Sequence, residues 1–363
     1  MEEKLYQLAL ELIPGIGDVN AKNLIAYCGS ASAIFTSKVS HLKKIPGIGA
    51  EKIEALTSSE YLSKAEAILN DCEKRGIDIY HYTDKGYPTK LKQVADAPNI
   101  IYAQGKINEW TRVLGIVGTR NATEYGQAVT TKIVEDCKSL NVLIVSGLAY
   151  GIDITAHRAA LKNNIPTIGV LAGGLDKIYP ALHKKNAQEM LEQGGLISEN
   201  PPGTKPEAHY FPARNRIIAG MSDAVIVVEA AKKGGALITA NIADSYNKTV
   251  FAVPGDLNNK YSEGCNFLIR NQKALLFTGV NDLKYHLNWD DESIAKQAAP
   301  DYSSLSAEDQ KIVSALSENK AGVPIDELAW KTQITVNQLA SNLLTLEFSG
   351  LIKSLPGKKY KLN

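Results

Sequence analysis

Between residues 112 and 255, six continuous apolar runs alternate with stretches of helical period. This alternation constrains the fold more than any other feature of the chain. The runs are RVLGIVGT (112–119), NVLIVSGLA (141–149), IPTIGVLAGG (165–174), GLISE (195–199), DAVIVVEA (223–230) and KTVFAVPG (248–255). Helical patterns lie between them at 124–139, 152–162 and 182–193, and another opens at about Ala236. A strand without an alternating polar face must be covered on both sides, so the runs predict a parallel sheet between two helical layers. The expected class is α/β, an extended Rossmann-like doubly wound parallel sheet, and ligands bind such sheets beyond the carboxyl ends of the strands.

Glycine or polar clusters follow the runs: GTR (118–120), SGLAYGID (146–153), AGGLD (172–176), EA with KKGGALITA (229–240) and PGD (254–256). Brought together, these ends would line one crevice. Its expected wall is Gly118, Thr119, Arg120, Ser146 and Gly147. Lys232, Lys233, Gly234 and Gly235 precede the helix near Ala236, where bare amides, a positive dipole end and two cations suit phosphate. In HYFPARNRIIAG (209–220), Arg214 and Arg216 flank Asn215 against an apolar run. Guanidinium forks match phosphate oxygens, so both arginines are assigned to the crevice rim, with Lys184 or Lys185. Tyr150, Tyr179, Tyr210 and Phe211 are candidates for stacking on bases, and Phe211 is read as core.

Several chemistries are excluded. GIVGTRNATEYG after the first run is not the GxGxxG of a dinucleotide site, and neither GxxxxGK[ST] nor GxSxG occurs. Asp153 and His157 stand four apart on one helix. They are read as a cap and a brace for that helix rather than an acid–base pair. Cys28, Cys72, Cys137 and Cys265 are far apart and form no CxxC, which reads as reduced core thiols in a cytoplasmic protein. No catalytic residue, metal site or cofactor is expected. The crevice is equipped to hold phosphates, and cations spread along a rim suit a polyanion.

The flanks read differently. LIPGIG (12–17) returns as KIPGIG (44–49), so residues 1–75 are expected to form a tandem helix-hairpin-helix domain whose glycine turns offer N–H groups to phosphate. Against this, residues 1–60 hold six basic and seven acidic side chains, a weak footprint for nucleic acid. Residues 76–287 form the sheet domain, 288–304 a polar linker, and 305–363 three helices followed by a hairpin, a winged-helix pattern. Its recognition-helix candidate, 335–350, has no lysine or arginine, so it is read as a protein-contacting or weakly DNA-contacting unit. Overall, 40 basic residues balance 39 acidic ones, so any basic groove is local. No apolar run reaches membrane-spanning length, and no membrane partner is expected.

The ordered set VGTR, SGLAYGIDITAHRAAL, GVLAGGLDKIYP, SENPPG, FPARNRIIAGMSDAVIVVEA, ALITANIA and VFAVPGD resembles the DNA-processing protein A (DprA/Smf) family over about 80–280. The resemblance implies a non-enzymatic, dimeric protein. It would bind single-stranded DNA without sequence preference, protect incoming strands in natural transformation and load a RecA-type recombinase. It places the family's DNA-contacting arginine on Arg120, the RNR arginines on Arg214 and Arg216, and the KSG lysine on Lys233. Three departures stand out: KKGGALITA lacks both family serines, GCN replaces GTN at 264–266, and Lys273-Ala274 replaces GA. Two other readings stay open. One is a phosphoribohydrolase-like enzyme on a nucleoside monophosphate, although its PGGxGTxxE signature is absent. The other is a scaffold for duplex or branched DNA.

Overall fold

The computed structural model describes residues 2–45, 48–107, 110–289, 305–317, 322–349, 351–355 and 358–362. Two compact units divide the chain, Met1–Trp289 and Asp290–Asn363.

The first unit opens with six helices: α1 (Glu2–Glu11), α2 (Asp18–Cys28), α3 (Ala31–Thr36), α4 (Val39–Leu42), α5 (Ala50–Thr57) and α6 (Glu60–Arg75). Next come β1 (Asp78–His81), α7 (Thr89–Lys92), β2 (Ile100–Gly105), β3 (Arg112–Val117), α8 (Glu124–Asp136), β4 (Val142–Ser146), α9 (Ile152–Lys162) and β5 (Thr167–Val170). The unit ends with α10 (Lys184–Gln193), β6 (Gly195–Ser198), α11 (Tyr210–Met221), β7 (Ala224–Val227), α12 (Gly235–Ser245), β8 (Thr249–Ala252), α13 (Glu263–Arg270), β9 (Leu275–Leu276) and α14 (Val280–Leu287).

All six apolar runs contribute strands to one nine-stranded sheet of order β1-β2-β6-β5-β4-β3-β7-β8-β9. Strands β3 to β9 pair in parallel, with Leu114 opposite Ala224 and Gly115 opposite Val145. Alternate side chains enter two cores. Val113, Val117, Val145 and Val227 face Ile217, Ile218 and Ala240 of α11 and α12. Leu114, Ile116, Ile144 and Ile226 face Ile133, Ala156 and Ala160 of α8 and α9. The path runs outward from β3 to β6, then returns to β7 on the other side of β3, so a switch point opens at the carboxyl end of β3.

Three strands escape the sequence pattern. β1 and β2 add an antiparallel edge from residues that precede the first apolar run, and β9 closes the other edge. β1 has four residues and β9 only two, both exposed, so neither carries a continuous apolar run.

The N-terminal helices do not stand apart from the sheet. Leu8, Ala65 and Cys72 share a core with Ile79, Tyr102 and Leu196. The first hairpin is docked on the 97–99 segment, while Gly15, Gly17, Val19 and Asn20 at its turn and helix start stay exposed. Asp18, the first residue of α2, accepts the Asn99 N–H at 2.9 Å, its own carbonyl takes the Asn99 amide at 3.0 Å, and Lys22 reaches the Ala97 carbonyl at 3.0 Å. Pro46 and Gly47 of the second hairpin, and residues 290–304 of the linker, lie outside the described residues.

The second unit holds α15 (Ala307–Ser317), β10 (Val323–Pro324), α16 (Ile325–Thr332), α17 (Val336–Phe348), β11 (Ile352–Leu355) and β12 (Lys359–Leu362). Ile312, Leu328, Leu339, Leu343 and Ile352 form its core beside a three-stranded sheet of order β10-β12-β11. α17 exposes Val336, Leu344 and Phe348, an apolar surface without lysine or arginine.

Candidate nucleic-acid interface

A crevice of about 390 Å³ opens at the switch point. One wall is Gly118, Thr119 and Arg120 after β3; opposite stand Lys233, Gly234 and Gly235 at the start of α12. Gly151 allows β3 and α9 to meet: its φ is +77° and a Cβ there would lie 2.1 Å from the Thr119 carbonyl. Thr119 is anchored by donating its N–H to the Glu229 carbonyl at 2.7 Å. The Glu229 carboxylate is fully buried; it accepts the Thr123 N–H at 2.9 Å and the Thr123 hydroxyl at 2.6 Å, which fixes the start of α8.

Arg120 and Lys233 are exposed, and neither has a carboxylate partner among the described residues. The Arg120 guanidinium lies 5.0 Å from the Phe211 ring centroid. Phe211 therefore lines the crevice and is only half-buried, which corrects its reading as core. A smaller adjoining pocket of about 90 Å³ is lined by Arg120, Tyr150, Tyr179 and Phe211 together with Gly147. Tyr150 is 45% and Tyr179 51% exposed.

Arg214 is 5% exposed and donates to the carbonyls of Gly147 and Val170. Burial pulls its guanidinium down to about 10, against the neighbouring Asp153 carboxylate; Arg120 acts in the same direction as burial. Burial likewise pushes the Asp153 carboxyl up, opposed by Arg214 and by N–H donors. Asp153 does not cap its own helix as expected. Its Oδ2 accepts the Gly147 and Ala149 amides, at 3.2 and 3.4 Å, because the turn folds back over the start of α9. His157 braces α9 against β5: its Nδ1 pairs with Thr167 Oγ1 at 2.7 Å, and burial holds the ring neutral by pulling it down to about 3. Asn215 donates to the Gly235 carbonyl at 3.3 Å and so ties α11 to the start of α12.

The structure thus brings Gly118, Thr119, Arg120, Arg214, Asn215, Lys233, Gly234 and Gly235 to one crevice, with Gly147 in the adjoining pocket. Three other assignments need correction. Arg216 does not line the crevice: it pairs with Glu199 and, at 3.3 Å, with Asp18. The reason is helical phase. The RNR stretch lies in α11, and residues two apart on a helix face different ways. Ser146 is buried and donates its hydroxyl to the Ile116 carbonyl at 2.5 Å, so it has no hydroxyl to offer a phosphate. Lys184 begins α10 and lines a separate groove with Arg75 and Gln104.

Lys260 and Tyr261 also line the crevice and were missed. They follow β8 in PGDLNNKYSEGCN, beyond a strand's carboxyl end, and that position was the available signal.

The chain matches the family described as DNA recombination-mediator protein A over residues 78–288 and the DprA winged helix domain over 296–358. The Smf protein of Synechocystis is 30% identical across 99% of this chain and 98% of its own length. The DNA processing protein DprA of Bacillus subtilis is 42% identical across 56% of this chain and 70% of its own. Among solved structures, DprA of Streptococcus pneumoniae superposes with a TM-score of 0.65 at 30% identity, covering 78% of this chain and 96% of that one. DNA processing protein A of Helicobacter pylori, whose structure addresses its binding of single-stranded DNA, superposes with a TM-score of 0.52 at 30% identity, covering 59% and 96%. The family match over the sheet unit, joined to a relative that aligns with nearly the whole chain, establishes that the chain belongs to the DNA recombination-mediator protein A (DprA/Smf) family.

Proposed function

We propose that this chain is a cytoplasmic, sequence-independent single-stranded DNA-binding protein that protects incoming strands and passes them to a RecA-type recombinase. The observation that carries the reading is the pairing of charge and aromatic surface at the switch point. Arg120, Lys233 and Lys260 are exposed cations around the crevice, and Phe211, Tyr150 and Tyr179 stand beside it. Phosphates and unpaired bases need those two surfaces together. The Helicobacter pylori relative, which binds single-stranded DNA, supports the same ligand here. Loading of recombinase follows from the family resemblance alone.

The crevice favours binding over turnover. Asp153 is the one carboxylate among its described lining residues, and it is engaged by Arg214 and by the amides of the 147–149 turn. A homodimer would cover β9, an edge strand with Leu275 39% and Leu276 49% exposed.

Fluorescence anisotropy with labelled oligonucleotides tests the reading. Single strands of any sequence should bind with an affinity that falls steeply with salt, and duplex should compete poorly. Equal preference for duplex would overturn it, as would release of free base from nucleoside monophosphates.

A further inference from the structure

The turn between β4 and α9, Gly147–Ala149, forms part of the wall of both pockets. Leu148 sits there with φ +53° and a fully buried side chain. A left-handed backbone is unfavourable for a residue with a branched side chain, so the surrounding structure must impose it.

Three buried ionisable side chains from three elements do so. Arg214 of α11 donates to the Gly147 carbonyl. Asp153 of α9 accepts the amides on either side of Leu148. His183, 1% exposed in the turn before α10, holds the Leu148 carbonyl through Nδ1 at 2.8 Å. A carbonyl only accepts, so the proton is on Nδ1. The same imidazole stands edge-on to Tyr150, with ring centroids 5.1 Å apart. His183 thus supports both the strained backbone and the exposed ring that follows it.

We infer that His183 is a positioning residue for single-stranded DNA. Through the Leu148 carbonyl and the Tyr150 ring it holds the stacking wall in place, while Arg120, Lys233 and Lys260 neutralise phosphates independently of it. The inference rests on the single-strand reading above.

The test is anisotropy against a labelled single strand over a range of salt, on the full chain. His183→Leu removes the donor and should weaken binding about tenfold, roughly the loss of one stacked base. The slope of log affinity against log salt should stay at the wild-type value, because no phosphate contact is lost. His183→Asn carries an amide on the Nδ1 side and should restore most of the affinity. His183→Gln presents its amide on the Nε2 side and should not, which keeps the comparison decisive if His183→Leu folds poorly. Wild-type affinity in both His183→Leu and His183→Gln, a shallower salt slope, or equal weakness of the Asn and Gln variants would each overturn the inference while leaving the crevice reading intact. If Arg120→Ala binds like wild type, the crevice reading itself falls, and this inference with it.

Discussion

Arg214 and Arg216 lie two positions apart on one helix and serve different partners. Arg214 faces the crevice and donates to the carbonyls of Gly147 and Val170; Arg216 is clamped between Glu199 and Asp18, joining the sheet to the N-terminal helices. Their different surroundings lead to different expected behaviour.

Arg216→Ala should destabilise the fold rather than alter the DNA interface. It leaves the Glu199 and Asp18 side chains, 13% and 26% exposed, without their cation. The cost is on the order of 2–3 kcal/mol, toward the lower end for a broken buried pair. Denaturant unfolding measures it, and the salt slope of single-strand binding should not move. A stable variant with a shallower slope would show that Arg216 contacts phosphate after all.

Arg120→Ala should act on binding and leave stability nearly unchanged, since the side chain is exposed and stacks on the Phe211 ring without a carboxylate partner among the described residues. Loss of one phosphate contact lowers the salt slope by about one and the affinity by roughly tenfold. Titrations at several salt concentrations read both numbers. An unaltered slope would remove Arg120 from the strand's path.

Stability should depend on pH through Glu11. Burial pushes its carboxyl up to about 7 from an ordinary 4.5, against a hydrogen bond from Asn99; Asp18 adds to the rise, while Lys22 and Arg216 oppose it. The folded state therefore holds this proton more tightly than the unfolded state. The contribution is fully present below about 4.5 and is lost as pH rises toward 7. Thermal melts between pH 5 and 8 should show it, and Glu11→Gln should flatten the profile. A profile unchanged by the substitution would count against the assignment.

Leu276→Arg places a charge on the exposed edge strand β9. If the protein pairs through this edge, light scattering should report a monomer while the thermal melt stays near wild type. A mass unchanged by the substitution would put the partner surface elsewhere.

The six parallel strands were legible because each is apolar on both faces, a pattern that burial under two helical layers requires. The antiparallel edge was not. Asp78–His81 has one exposed and one half-buried position among its four, too short a stretch for its period to stand out. The winged-helix pattern was legible for a different reason, since Leu339, Leu343 and Leu346 repeat at helical spacing along one buried face.

At the interface, the strand-end clusters were legible and the cations only partly so. A Cβ on Gly118 would lie 2.4 Å from Ile152 and 3.0 Å from the Glu229 carbonyl, so GTR marked a close approach, whereas KKGG pointed to the crevice as bare amides at a helix start. A cation's direction is another matter. It depends on the rotation of its helix and on which carboxylates the rest of the chain brings near, and Glu199 and Asp18 reach Arg216 from 17 and 198 residues away. Lys260 and Tyr261 enter the crevice by the same kind of long-range arrangement. By itself the sequence determined that a parallel sheet would form and that its carboxyl edge would be open, because periodicity and glycine act locally. Only the tertiary structure decided which charges face that edge, because charge pairing acts across space between residues distant along the chain.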